Sequence, residues 1–422
     1  MTDTTKSRIL TLDIVRGVAV MGILAMNIVA FAMPPQAYLN PLAYGTESAA
    51  DLASWAFSFV FVDGKMRGLF SLLFGASMML VIQLAEKSAD SPKRVTFARQ
   101  LWLLLFGMIH YYFIWYGDIL IGYALIGMVA WFFRGLEPRA LVRWGIALVT
   151  VQLLIMGGGA AYAHSLSAAA AAPGAGPETL KEWAEFSHDM AIPSAAVLRE
   201  ELALFLGPWT GIVEYQLTEK ALMPLFFTFL FGPETLAYML FGMAALKCGF
   251  LTGAWDNARY RGVAITALAV AIPVYVLLAA LLLADDFSVP GIFTYSFAAT
   301  VPFRPLMIIA YAALIILATR RGGWLVDRIA ATGRAAFSNY LGTSILMTGL
   351  FFGWGLGWFG SVSRIELWLV VAAMWLVMLA WSKPWLERFA YGPLEWLWRS
   401  LARRQLQPFR KRRAATPVAA GA

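Results

Sequence analysis

His110 and Asp118 are the residues in this 422-residue chain best suited to do chemistry. His110 interrupts the apolar run Gln100–Phe113, and Asp118 follows at Tyr116-Gly117-Asp118. An imidazole titrates near neutral pH and can take a proton from a hydroxyl. A carboxylate beside it orients the ring and stabilises its protonated form. Along an unbroken helix the two would stand roughly 12 Å apart at 1.5 Å per residue. The pair therefore works only if the turn at Gly117 folds Asp118 back. The competing roles are an interhelical lock for His110 and a helix cap for Asp118.

Other charged residues suggest binding. Asp13 and Arg16 stand three apart, a spacing that allows a local ion pair. Arg16 could equally hold an anionic group. Asn27 lies about three turns further along the same helix and could bond another helix or a substrate. Lys65 and Arg67 flank the start of another apolar stretch, with Asp63 close by. They could pair with Asp63 or Asp118, or hold an anion. Glu234 follows Gly232-Pro233 and Arg304 lies between Pro302 and Pro305, and this pair reads as a structural salt bridge. Asn339-Tyr340 reads as packing and hydrogen bonding. No metal site is expected: Cys248 is the one cysteine, and the three histidines lack metal-ligand spacing. No cofactor is expected either.

These residues must be held by membrane-spanning helices. The chain is 60% hydrophobic and 14% charged, against roughly 25% charged in a soluble domain. The expected fold is an all-α, polytopic transmembrane helix bundle of about ten spans. The expected spans are 14–33, 66–85, the hairpin 100–133 (two spans), 144–163, 222–246, 263–283, 293–318, 335–354 and 367–381. The sixth is interrupted at Gly232-Pro233, and the eighth contains Pro302 and Pro305, where a transporter would have a second discontinuous helix. Residues 55–62 are too short to span. The expected domains are a five-span half over 1–163, an external loop over 164–220 with a surface helix and a flexible alanine-rich stretch at 168–177, a second five-span half over 221–400, and a basic disordered tail over 401–422. About 26 of the 33 Lys and Arg fall on one side, which makes that side and both termini cytoplasmic. The net charge of +8 then reflects topology, not nucleic acid. The amphipathic segment Gly392–Arg399 is expected to anchor at the membrane surface.

Taken together, several motifs resemble the YeiB-like family of uncharacterised bacterial inner-membrane proteins. They are Thr11–Gly17 with Asn27-Ile28, Tyr38–Pro41, and Lys65 with Leu69–Gly75. The set continues with Gly107 and His110, Trp115, Gly117–Leu120 and Tyr123, then Gly333-Arg334, Asn339-Tyr340 and Gly392–Arg399. Glu234 and Arg304 stand outside that pattern. The resemblance implies a multi-pass protein of the bacterial inner membrane. The opening run Leu12-Asp13…Arg16-Gly17 is also similar to that of transmembrane acyltransferases, which acylate sugars or glycans from cytoplasmic acyl-CoA. Many of those carry a histidine in the first span about where this chain has Asn27, so His110 would have to supply the base. By that analogy Arg16 holds the donor's phosphates, and Lys65 and Arg67 bind an anionic acceptor. The alternative is a transporter for a small, anionic solute, using His110, Asp118 and Lys65 as a relay. The expected partners are the bilayer and a small-molecule or glycan substrate.

Overall fold

The computed structural model describes residues 9–87 and 91–411. The first eight residues, the segment 88–90 and the end of the basic tail at 412–422 lie outside it. The described residues are helical throughout and contain no strand beyond one isolated bridge, Phe389 with Arg410. Six helical stretches are long and apolar enough to cross a membrane: Leu10–Ala32, Ala49–Lys87, Pro138–Ala171, Met223–Lys247, Asn257–Ala284 and Leu367–Arg388. Two shorter apolar stretches, Leu120–Phe133 and Arg304–Thr319, accompany them. The chain is a helical membrane protein.

Helix α1 (Leu10–Ala32) is buried on most of its circumference. Helix α2 (Ala49–Phe61) begins with a capping box in which Ser48 and Asp51 exchange hydrogen bonds, satisfying amide groups that a helix start leaves open. It breaks at Val62–Gly64, where Gly64 takes a positive φ of 69°, and resumes as α3 (Lys65–Lys87). Residues 55–62 thus belong to a full helix whose Trp55 and Phe59 are buried. The hairpin follows as α4 (Pro92–Phe113) and α5 (Leu120–Ala130).

Helix α6 (Pro138–Ala171) is longer than the expected span. The first part of the alanine-rich stretch, residues 168–171, read above as flexible, instead extends it to Ala171, as alanine's helix propensity favours. The chain turns only at Gly174, at a φ of 82°, before Pro177. Three short helices then cross this connection: α7 (Pro177–Ser187), α8 (Ala195–Phe205) and α9 (Trp209–Thr218).

Helix α10 (Met223–Lys247) runs through Pro233 without the expected break. A proline there disturbs the backbone ladder. Gln152 of α6 repairs it: its Nε2 donates to Leu230 O at 3.1 Å, and its Oε1 accepts from Glu234 N at 3.2 Å. Those two backbone groups would otherwise pair with each other in the helix. A side chain inserted into the ladder replaces the interruption.

Helix α11 (Asn257–Ala284) is followed by a π-helical stretch at Ile292–Ala298, and α12 (Arg304–Thr319) starts afresh at Arg304. The eighth expected span is therefore broken, which puts Arg304 at a helix start. Next come α13 (Trp324–Arg334), α14 (Ala336–Phe351), α15 (Leu367–Arg388) and α16 (Pro393–Arg403).

Helix α1 crosses α13 with the backbones in contact. A Cβ on Gly17 would lie 2.1 Å from Ile329 O, and one on Gly333 would lie 1.8 Å from Asp13 O. Small residues at such crossings let membrane helices approach closely. Helix α16 was expected to lie on the membrane surface. Its buried face is docked on the bundle: Trp398 packs on Phe337 at 5.5 Å and donates from Nε1 to Arg99 O at 2.9 Å.

Candidate functional site

The hairpin turn starts at His110 itself. Its carbonyl accepts from Ile114 N at 3.0 Å and Trp115 N at 2.8 Å, which ends α4. Gly117 permits the tight return, because a Cβ there would lie 2.2 Å from the Trp115 ring. Gly107, one turn before His110, lets the start of α5 approach. A Cβ at that position would lie 2.7 Å from Ile121 N.

The return brings Asp118 onto His110. His110 Nδ1 and Asp118 Oδ2 are 2.7 Å apart, and both side chains are fully buried. The other oxygen, Oδ1, accepts from Ile121 N at 2.8 Å. Asp118 thus does both things weighed for it, with one oxygen on the imidazole and one capping α5. With Asp118 ionised, Nδ1 carries the proton it donates, so Nε2 presents its lone pair. That Nε2 is buried and has no hydrogen-bond partner among the described residues.

Three other elements wall the imidazole. Tyr340 of α14 stands 5.2 Å away, ring to ring, and its hydroxyl bridges Gly117 O at 3.4 Å and Ile119 N at 3.3 Å. Trp115 lies 6.2 Å from His110 and stacks on Phe31 of α1 at 3.8 Å. Asn27 is buried one turn before Phe31 on the same helix face. Trp115 Nε1 and Thr343 Oγ1 are, like His110 Nε2, buried without a partner among the described residues. Buried polar atoms are nearly always paired, so such atoms need an explanation. Tyr340 reads from the sequence as packing and hydrogen bonding, with no link to His110, and Trp115 enters only as one of the family motif residues. Only the fold brings both to the histidine.

Lys65 and Arg67 point elsewhere. Lys65 is 1% exposed, donates to Phe59 O and sits 3.6 Å from the centre of the Tyr275 ring. It forms no ion pair among the described residues with either of its expected partners, Asp63 and Asp118. Asp63 instead accepts from Tyr38 Oη at 2.9 Å, beside a cavity of about 50 Å³ lined by Ser58, Arg364 and Trp368. Arg67 Nη2 binds Glu234 Oε2 at 2.7 Å. Arg304 binds Glu234 Oε1, which also accepts from Tyr238 Oη at 2.7 Å. The pairing of Glu234 with Arg304 is thus present, with Arg67 as a third member. Tyr123 links this cluster to the hairpin: its hydroxyl meets Ser71 Oγ at 2.7 Å and donates to Arg67 O at 3.1 Å.

Arg16 lies at the opposite end of α1 from Phe31. It reaches Asp13 Oδ1 at 3.4 Å, Ser77 Oγ at 2.7 Å and Gly333 O at 3.5 Å, so it ties α1 to α3 and α13.

This arrangement sits in a chain whose relatives can be identified. The uncharacterized protein YeiB of Escherichia coli (strain K12) is 32% identical over 417 residues, covering 95% of this chain and 98% of that one. This chain belongs to the YeiB-like family. The uncharacterized protein YxaH of Bacillus subtilis (strain 168) is 29% identical over 97% of both chains. Residues 245–405 match the family described as "Protein of unknown function (DUF418)". No solved structure matches the chain. The hairpin site of this YeiB-like protein lies outside the stretch matched by that family description, and the docked helix α16 lies inside it.

Proposed function

We propose that this YeiB-like protein is a ten-span bacterial inner-membrane protein, with both termini cytoplasmic, that transfers an acyl group from cytoplasmic acyl-CoA to a hydroxyl of an envelope acceptor. One observation carries the reading: a buried imidazole held through Nδ1 by a carboxylate, with an unpartnered Nε2. That is the arrangement a general base requires. His110 Nε2 takes the proton of the acceptor hydroxyl as its oxygen attacks the thioester carbonyl. The tetrahedral intermediate then collapses, the C–S bond breaks, and the imidazolium returns the proton to the departing thiolate. The products are an ester and free coenzyme A. Asp118 holds the ring and offsets the imidazolium charge. Tyr340 and Trp115, whose rings stand beside the imidazole, would contact the acceptor. Arg16 lies at the donor end.

The test uses purified full-length protein, acetyl-CoA labelled in the acetyl group, and a cell-envelope fraction. The expected result is label transfer with release of free thiol, lost in His110→Ala. Absence of turnover by the wild-type protein across envelope fractions, with unfolding behaviour intact, would sink the enzyme reading.

A transport reading draws on a different observation. The cluster of Arg67, Glu234 and Arg304 is buried charge beside the broken helix at Ile292–Ala298, and intramembrane charges of this kind mark ion and solute paths in transporters. Under that reading Lys65 and Arg67 receive an anionic solute.

A further inference from the structure

At the end of the bundle that carries Arg16, three more arginines gather: Arg99, Arg399 and Arg403. Arg99 of α4 is half-buried and stacks on the Trp398 ring at 4.0 Å. Arg399 of α16 is half-buried and lies 4.8 Å from the centre of the Tyr391 ring. Arg16, Arg99, Arg399 and Arg403 are close enough to act on one another electrostatically. Two carboxylates are near. Asp13 is on Arg16. Glu395 is committed to Phe337 N at 2.7 Å, Ser338 N at 3.1 Å and Ser338 Oγ at 2.6 Å. Arg99, Arg399 and Arg403 make no salt bridge with any described residue.

Arginines that only mark topology stay solvated. Arg99 and Arg399 are instead half-buried on aromatic faces, Trp398 of the docked helix α16 and Tyr391 just before it, while Arg403 is exposed. Stacking leaves the guanidinium edges available for bidentate contacts, the geometry that recognises phosphate. Gathering like charges in a half-buried place is costly, and an anion would offset that cost. Burial, together with Arg16 and Arg403, holds the Arg399 guanidinium below its ordinary range, consistent with the same crowding.

We infer that Arg16, Arg99, Arg399 and Arg403 form a binding site for a phosphate-bearing ligand, with the docked helix α16 as one wall. As the place where an acyl donor's phosphates bind, the site rests on the acyl-transfer reading. As a phosphate site it does not. A soluble organic phosphate and an anionic lipid headgroup share the required chemistry.

Titration calorimetry on the full chain separates the sources. The probes are coenzyme A and inorganic pyrophosphate, with the protein in zwitterionic micelles and in nanodiscs of phosphatidylcholine with or without phosphatidylglycerol. Coenzyme A is expected to bind, more weakly at high salt. Each of Arg99→Gln and Arg399→Gln should weaken it by about tenfold, as expected for lost charge-assisted hydrogen bonds. The exposed Arg139→Gln should leave it unchanged, and Arg99→Lys should retain part of it. Pyrophosphate carries no thiol and undergoes no acyl transfer, so its binding is read independently of the catalytic proposal, and failure of that proposal would not be mistaken for failure of the site. Displacement of coenzyme A by phosphatidylglycerol would assign the site to a lipid headgroup and keep its phosphate chemistry. Two results overturn the proposal: no probe binds the folded wild-type protein, or the Arg99→Gln/Arg399→Gln double variant binds every probe as well as the wild type.

Discussion

Two buried polar centres adjoin α5, one at its start through Asp118 and one reached through Tyr123, and they are built differently. Around Glu234, both carboxylate oxygens are taken, by Arg67, Arg304 and Tyr238. Even the backbone N–H of Glu234 is received by Gln152. Around His110, the carboxylate is fully used but the imidazole is not, and Trp115 Nε1 and Thr343 Oγ1 are open beside it. Among the described residues, the unpartnered atom in the first centre is Arg304 Nε, a nitrogen of a guanidinium that stays protonated, whereas in the second it is an imidazole nitrogen that can accept a proton. An unpartnered acceptor in a packed interior is costly, and it persists where something else completes it. Under the proposed acyl-transfer reading, the first centre serves cohesion and the second serves chemistry.

Substitutions can break or sharpen that division. The largest effect is expected at the hairpin. Asp118→Asn should lower acyl transfer by roughly 10⁴-fold, because the amide holds the wrong tautomer. Its unfolding midpoint in detergent should move little. Next, Glu234→Ala leaves Arg67 and Arg304 facing each other in the interior. A loss of about 3–5 kcal/mol is expected, as for removal of one partner from a buried ion pair, read by denaturant titration in micelles. Gln152→Leu strands Leu230 O and Glu234 N together. It should cost about 1–3 kcal/mol and increase backbone exchange around Pro233, followed by hydrogen-exchange mass spectrometry. Retained stability in Gln152→Leu would mean that α10 repairs its own ladder.

The smallest effect concerns pH and lies outside both centres. Burial raises the Glu395 carboxyl in α16 above its ordinary range, ahead of the opposing hydrogen bonds from Ser338 and Phe337. The folded state therefore holds that proton to higher pH than the unfolded chain. Stability from this group is fully present below the unfolded value of about 4.3 and declines as pH rises through the raised folded value. The unfolding midpoint, followed upward from about pH 4, should fall in the wild type and change less in Glu395→Gln.

Much of the hairpin was legible in the sequence. A histidine and an aspartate flanking a turn glycine, in an apolar run, already posed the right question, because eight residues of straight helix would keep them apart. The roles of Tyr340 and Trp115 were not legible. Both are aromatic residues in an aromatic-rich chain, and only the packing of α1 and α14 on the hairpin distinguishes them. Lys65 was misleading. It reads as a partner for Asp63, Asp118 or an anion, yet it is buried against Phe59 O and the Tyr275 ring. The membrane pattern gave the strongest helices. It could not anticipate that Gln152, some 80 positions before Pro233 by ordinary numbering, mends α10, or that a π-helical stretch breaks the eighth apolar run. Both depend on contacts between distant segments. Helix α16 was read as a surface anchor because its amphipathic pattern is the same whether the apolar face meets lipid or protein.

The division of labour is tested most directly by one crossed measurement: thiol release from acetyl-CoA, per folded molecule, in His110→Gln and Glu234→Gln side by side with their unfolding midpoints. The account predicts that His110→Gln loses turnover and keeps its midpoint, while Glu234→Gln loses stability and keeps its turnover. Turnover retained in folded His110→Gln, and lost in folded Glu234→Gln, would contradict it and move the working centre to the charged cluster.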